Sequence, residues 1–98
     1  MADAISESEI QSKLGELERW TRNGDAIERT FRFAAFMDGI EFVNRLARAA
    51  EAADHHPDID IRYTRVKLGL TTHSVGGLTA LDFDMASQAD RLAGATAE

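Results

Sequence analysis

The chain has 98 residues, 44% hydrophobic and 29% charged, with a formal net charge of −6 and no cysteine. This length and composition indicate one soluble globular domain spanning 1–98, small enough to gain from oligomerisation. The acidic balance excludes a general nucleic-acid binder and disfavours an anionic membrane surface, and the absence of thiols excludes disulfide and thiolate chemistry.

No apolar run approaches the roughly 20 residues of a membrane span. The acidic residues 1–9 lack the apolar core of a signal peptide, so a cytoplasmic protein is expected. Residues 1–5 read as a loose lead-in. Ser6 and Glu9 have capping-box spacing, with Ile5 and Ile10 as the staple, and Ile10, Leu14 and Leu17 recur at helical spacing. A helix over 6–16 is predicted. Asn23-Gly24 tolerates the positive φ of a hairpin turn, which predicts strands over 18–22 and 26–33. In the second strand Ile27, Phe31 and Phe33 share one face, and Glu28, Thr30 and Arg32 share the other. Arg29 falls on the apolar face and breaks the pattern.

Asp38 and Glu41 repeat the capping-box spacing, with Met37 and Phe42 as staple. The helix that follows is expected to reach about Asp54, with Val43, Leu46, Ala47, Ala50 and Ala53 as its apolar stripe. Pro57 cannot continue a helix and holds His56 extended. Next, Ile59, Ile61 and Tyr63 alternate with Asp58, Asp60 and Arg62, and Val66, Leu68 and Leu70 alternate with Lys67, Gly69 and Thr71. These are two strands with a turn at Thr64-Arg65. Pairing Tyr63 with Val66 sets Ile61 opposite Leu68 and Ile59 opposite Leu70. Carried backward, that register brings His56 opposite His73 on the polar face, with Pro57 interrupting the ladder.

Gly76-Gly77 reads as a flexible loop. Thr79 and Asp82 form a third capping-box pattern, with Leu78 and Phe83 as staple and a helix to about Leu92. Residues 93–98 read as a frayed end. The order α-β-β-α-β-β-α describes an α+β two-layer sandwich, a four-stranded antiparallel sheet with helices on one face. The other face carries Glu28, Thr30, Arg32, Asp60, Arg62, Lys67 and Thr71, and no element of the chain covers it.

The three histidines, His55, His56 and His73, are the chemical candidates, because imidazole exchanges protons near neutral pH. The plainer reading of His55-His56 is a pair of polar residues at the negative end of a helix dipole. Asp82 fits a cap and also a carboxylate that orients a histidine. Glu51 lies one helical turn before His55 and is placed to touch it. Trp20 suits the core, an interface or a wall for a flat heterocycle. Adjacent histidines diverge from each other, which disfavours a metal site. Signatures of dinucleotide, nucleotide and serine-hydrolase sites are absent.

Glu51-x-x-x-His55-His56-Pro57, Tyr63, Thr72-His73, Gly76-Gly77-Leu78-Thr79 and Asp82 together resemble the signature of the pterin-4a-carbinolamine dehydratases. Trp20, the run Phe31-Arg32-Phe33 and the run Phe42-Val43-Asn44-Arg45 add to the likeness, which covers roughly 14–92. The resemblance implies a hydro-lyase that converts 4a-hydroxytetrahydropterin to quinonoid dihydropterin and water during pterin cofactor recycling. It implies a small-molecule pterin substrate, no metal or organic cofactor, and a homodimer or homotetramer. His55, His56 and His73 carry over as the catalytic trio, His55 and His73 for proton transfer and His56 more for binding. Glu51, Asp82, Trp20 and Pro57 carry over as supporting or substrate-binding residues. Phe83-Asp84-Met85 departs from the aliphatic stretch usual there. The alternative function is a protein-interaction module, of the dimerisation-cofactor kind, on the same fold with idle histidines.

Overall fold

The computed structural model describes residues 3–94 and 97. The expectation of loose ends therefore falls partly outside the described residues, at 1, 2, 95, 96 and 98. The elements are α1 (Glu7–Gly15), β1 (Thr21–Asn23), β2 (Ala26–Arg32), α2 (Phe36–Ala53), β3 (Asp58–Arg62), β4 (Arg65–Leu70) and α3 (Ala80–Ala93). The four strands form one antiparallel sheet in the order β1-β2-β4-β3. Alternation puts Ile27 and Phe31 of β2 and Val66, Leu68 and Leu70 of β4 on the helix side, all fully buried with Phe42 and Leu46 of α2. The α+β sandwich with helices on one face is the observed architecture. Phe83 and Met85, the departure noted above, are buried core residues of α3.

The first helix forms where the sequence places it, whereas β1 begins at Thr21, three residues later than expected, and includes Asn23. The Ser6 hydroxyl accepts from the Glu9 N–H at 3.2 Å and caps α1. Ile5 is tied in by its N–H to Leu78 O at 3.1 Å and packs against the core. The first hairpin turns at Gly24-Asp25, with Asn23 paired to Ala26 and Gly24 at φ 61°. The Arg22 guanidinium grips both oxygens of Glu7, at 2.5 and 2.9 Å, joining β1 to α1. These hydrogen bonds hold the Glu7 carboxyl below the usual carboxylate range. What the pair adds to stability is present above the unfolded carboxylate pKa and is lost as pH falls through the lowered value.

α2 begins earlier than expected. Its N-cap is Ala35, with no side-chain cap, so Asp38 lies inside the first turn rather than at the cap. The carboxylate there still meets the positive end of the helix dipole. Gly39 is consequently a helix-interior residue, and the sheet explains it. A Cβ at Gly39 would stand 3.3 Å from Val66 Cγ2 and 3.4 Å from Phe33 Cδ2. The buried stripe is Gly39, Phe42, Leu46 and Ala50, whereas Ala47 and Ala53 are exposed.

The register of the second hairpin also differs from the expectation. Ile59 faces Leu68, Ile61 faces Val66, and Arg62 faces Arg65. The turn is Tyr63-Thr64, with Tyr63 exposed in the left-handed region at φ 52°. The difference is a slip of two residues, which leaves every side chain on its expected face, so alternation cannot detect it. A tyrosine in the turn and an opposed arginine pair are both choices that pairing preferences disfavour. The ladder ends at Asp58, and the observed register extended backward would bring Thr71, not His73, opposite His56.

Arg29, which breaks the alternation of β2, faces α3. Its Nη1 meets Asp90 Oδ1 at 2.5 Å, and its guanidinium lies 3.9 Å from the centre of the Phe31 ring. Asp90 Oδ1 also accepts from Trp20 Nε1 at 2.9 Å. One carboxylate oxygen thus meets both a largely buried cation and a buried indole, while Arg29 Nε stays without a hydrogen-bond partner among the described residues. Removing it strands both. Asp90→Ala is expected to cost about 3 kcal/mol in urea unfolding, and the paired change Arg29→Met with Asp90→Ala is expected to recover part of that loss.

Candidate functional site

Three chain breaks meet at the end of the sheet where β3 begins and β4 ends. The first is the exit from α2. Asp54 adopts the left-handed conformation at φ 49°, its N–H bonding Glu51 O at 3.3 Å while the His55 N–H bonds Ala50 O at 3.1 Å. These are the two hydrogen bonds of a Schellman motif, so the helix stops by its own cap three residues before Pro57. The reversal aims His55 inward and leaves His56 exposed. The second break follows β4. Thr72 and Gly77 exchange backbone hydrogen bonds of 3.0 and 3.4 Å around a 3-10 turn, His73–Val75. The expected flexible loop is thus a closed one, with Gly76 supplying the positive φ of 65° that ends the turn. The third break is the start of α3, where the Thr79–Asp82 capping box forms in full.

Asp82 joins all three. Its side chain is fully buried. Oδ1 is 2.6 Å from His55 Nε2. Oδ2 accepts from Thr72 Oγ1 at 2.8 Å and from the Thr79 N–H at 2.9 Å. Thr72 Oγ1 lies 2.9 Å from Thr79 Oγ1, which in turn accepts from the Leu81 N–H at 3.2 Å. With Thr72 donating to the carboxylate, the hydrogens run in one direction, from Leu81 N through both hydroxyls to Asp82. Such a chain polarises its members cooperatively.

The candidates from the sequence divide as follows. His55 is buried, with Nε2 committed to Asp82, and Nδ1 has no protein partner among the described residues. Glu51 pairs with His56 Nε2 rather than with His55, because the left-handed Asp54 rotates the chain past the straight helical continuation. His73 is exposed, and its ring has no hydrogen-bond partner among the described residues. Its backbone, however, follows Thr72 directly and is held in the closed turn. Pro57 is half-buried between the histidine pair and β3. Trp20 is a core residue, 4% exposed, held by Asp90 and set edge-on to Phe31 at 6.1 Å. Thr72 enters the sequence reading only as the neighbour of His73. It lies beyond β4, where no periodicity marks it, and its role at Asp82 is visible only in three dimensions. Among the described residues, no group of three His, Cys, Asp or Glu side chains is arranged to hold a metal ion.

This arrangement places one imidazole on a buried carboxylate and one free imidazole on the turn tied to that same carboxylate. The family model described as pterin 4 alpha carbinolamine dehydratase matches residues 3–92. The chain belongs to the pterin 4 alpha carbinolamine dehydratase family. A relative from Roseiflexus sp. (strain RS-1), named "Putative pterin-4-alpha-carbinolamine dehydratase", is 52% identical over 92 residues, covering 94% of this chain and 99% of the relative. A crystal structure from Brucella melitensis, titled transcriptional coactivator/pterin dehydratase, superposes with a TM-score of 0.91. It is 37% identical and covers 94% of this chain and all of that one. A pterin dehydratase-like protein described as a RuBisCO assembly factor in the alpha-carboxysome superposes at 0.64, with 25% identity over 78% of this chain and 88% of that one.

If Asp82 ties the dehydratase-family site together, Thr72 should matter to folding through its hydroxyl. Thr72→Val removes one donor from a buried carboxylate and is expected to cost about 1–3 kcal/mol. Thr72→Ser should cost clearly less, with urea unfolding as the measurement.

Proposed function

We propose that this chain dehydrates a 4a-hydroxytetrahydropterin to the quinonoid dihydropterin by histidine acid/base catalysis. The observation that carries the reading is the pairing of His55 with buried Asp82, together with the turn that holds His73 beside the same network. The reaction breaks the C4a–O bond. The adjacent ring nitrogen supplies the electron pair for a new C=N bond and loses its proton, and the departing hydroxyl gains a proton to leave as water. An acid and a base must act at one pH, and two imidazoles meet that demand. His55 and His73 are assigned the proton transfers, since Nδ1 of the first and the whole ring edge of the second are uncommitted to other protein groups. His56, held by Glu51, is assigned to binding. Asp82 is a positioning residue that fixes the ring plane of His55. Trp20 plays no direct part in this reading, since its indole is spent on Asp90.

A second reading is an interaction module with idle histidines. Two structural neighbours, one described as a transcriptional coactivator/pterin dehydratase and one as a RuBisCO assembly factor, favour it. Either function suits a homodimer or homotetramer, which we propose on a physical ground as well. β3 is an edge strand whose Ile59 and Ile61 stay 38% and 39% exposed on the apolar side of the sheet. An exposed apolar edge invites pairing with a second copy.

The purified protein, free of added metal, should accelerate the loss of carbinolamine absorbance. His73→Ala should lower turnover by about 10²- to 10⁴-fold with an unchanged circular dichroism spectrum. An inactive wild type, or full activity in His73→Ala, would count against the dehydratase. Light scattering should give a mass above that of one chain, reduced by Ile61→Lys. A monomeric wild type would remove the oligomer proposal.

A further inference from the structure

The face of the sheet turned away from the helices is ordered by charge. Residues directly opposed across an antiparallel ladder share a face, so the register defines its rows. The row at the β3–β4 turn is Arg32, Arg65 and Arg62, one arginine on each of three neighbouring strands. The next row on this face is Thr30, Lys67 and Asp60, and the one after that is Glu28, Gly69 and Asp58. Opposed like charges repel, and three cations side by side are unusual in a chain whose net charge is −6.

The internal partners of the cations on this face are few. Arg62 Nε reaches Asp60 Oδ1 at 3.3 Å, and Lys67 Nζ lies 3.6 Å from Glu28 Oε1. Arg32 and Arg65 have no anionic partner among the described residues. The pairings therefore leave two uncompensated positive charges, with Arg65 in the middle of the row. A depression of about 310 Å³ opens on the spot, lined by Thr30, Asp60, Arg62, Arg65 and Lys67. Neighbouring strands are about 4.8 Å apart, so adjacent guanidinium groups can close on one anion from two sides.

We infer that this end of the open face is a binding site for the phosphoryl group of a small molecule, centred on Arg65. A phosphate monoester carries about −1.5 to −2 charge at neutral pH, which matches the two free cations. The planar fork of arginine suits its oxygens, and the Thr30 hydroxyl adds a neutral donor. The acidic balance of the whole chain selects a small anion over a polyanion, because beyond the row the long-range field repels negative charge. The site is separate from the histidines, which lie past the opposite end of β3 and β4, roughly 15 Å or more along the strands.

Inorganic pyrophosphate is the probe, titrated by calorimetry at constant ionic strength set with sodium chloride. Saturable binding is expected in the wild type, weakened at least tenfold by Arg65→Gln and weakened also by Arg32→Gln. Arg48→Gln, a surface charge removed from α2, should change the affinity less than twofold. Without pyrophosphate, Arg65→Gln should melt at the same temperature as the wild type or higher, since its removal relieves repulsion. Binding no stronger than that of chloride would overturn the inference. So would equal losses in the Arg65 and Arg48 variants, or binding confined to a single-stranded oligonucleotide.

Discussion

The carboxylate of Asp82 lies fully buried where the exit from α2, the loop after β4 and the start of α3 meet. A buried carboxylate is costly unless its oxygens are occupied. Here one oxygen meets His55, and the other accepts the Thr72 hydroxyl and the Thr79 amide. The same four hydrogen-bonding groups therefore close the start of α3, anchor the loop after β4 and fix the ring that follows α2. The cap and the histidine contact that the sequence reading both offers for Asp82 fall on its two different oxygens. Folding of this corner and placement of His55 rise or fall together.

The sheet separates two environments, and the exceptions on each side are informative. On the helix side Arg29 is tolerated because Asp90 neutralises it and Phe31 lies under it. That arrangement also commits Trp20 to the core through the shared oxygen of Asp90. On the open side no such neutralisation reaches Arg32 or Arg65 among the described residues. The contrast sets a compensated cation, which is structural, against uncompensated ones at the β3–β4 turn.

Much of the fold is legible in the sequence because alternation and helix capping are local signals. The element order, the two sheet faces and the Thr79–Asp82 box all follow from spacing. Three features do not. Alternation is blind to a slip of two residues, so the pairing of Ile61 with Val66 needed the left-handed Tyr63 to be known. The start of α2 at Phe36 lacks a side-chain cap, and Asp38 two residues later imitates one. The partner of Glu51 depends on the left-handed turn at Asp54, which turns an expected contact with His55 into one with His56. The histidines themselves stand out by residue type, but the hydrogen bonds that set His55 apart from His56 arise only from tertiary closure at Asp82.

The family makes a pterin the ligand to test, and the proposed function puts its reacting edge at His55 and His73. The most direct measurement is a crystal structure of this protein with a dihydropterin bound. The ring should lie at the end of the sheet where β3 begins, with its reactive edge within hydrogen-bond reach, about 2.6–3.2 Å or one water away, of His55 Nδ1 and the His73 ring. A pterin bound elsewhere, or bound there with His55 turned away from Asp82, would contradict it.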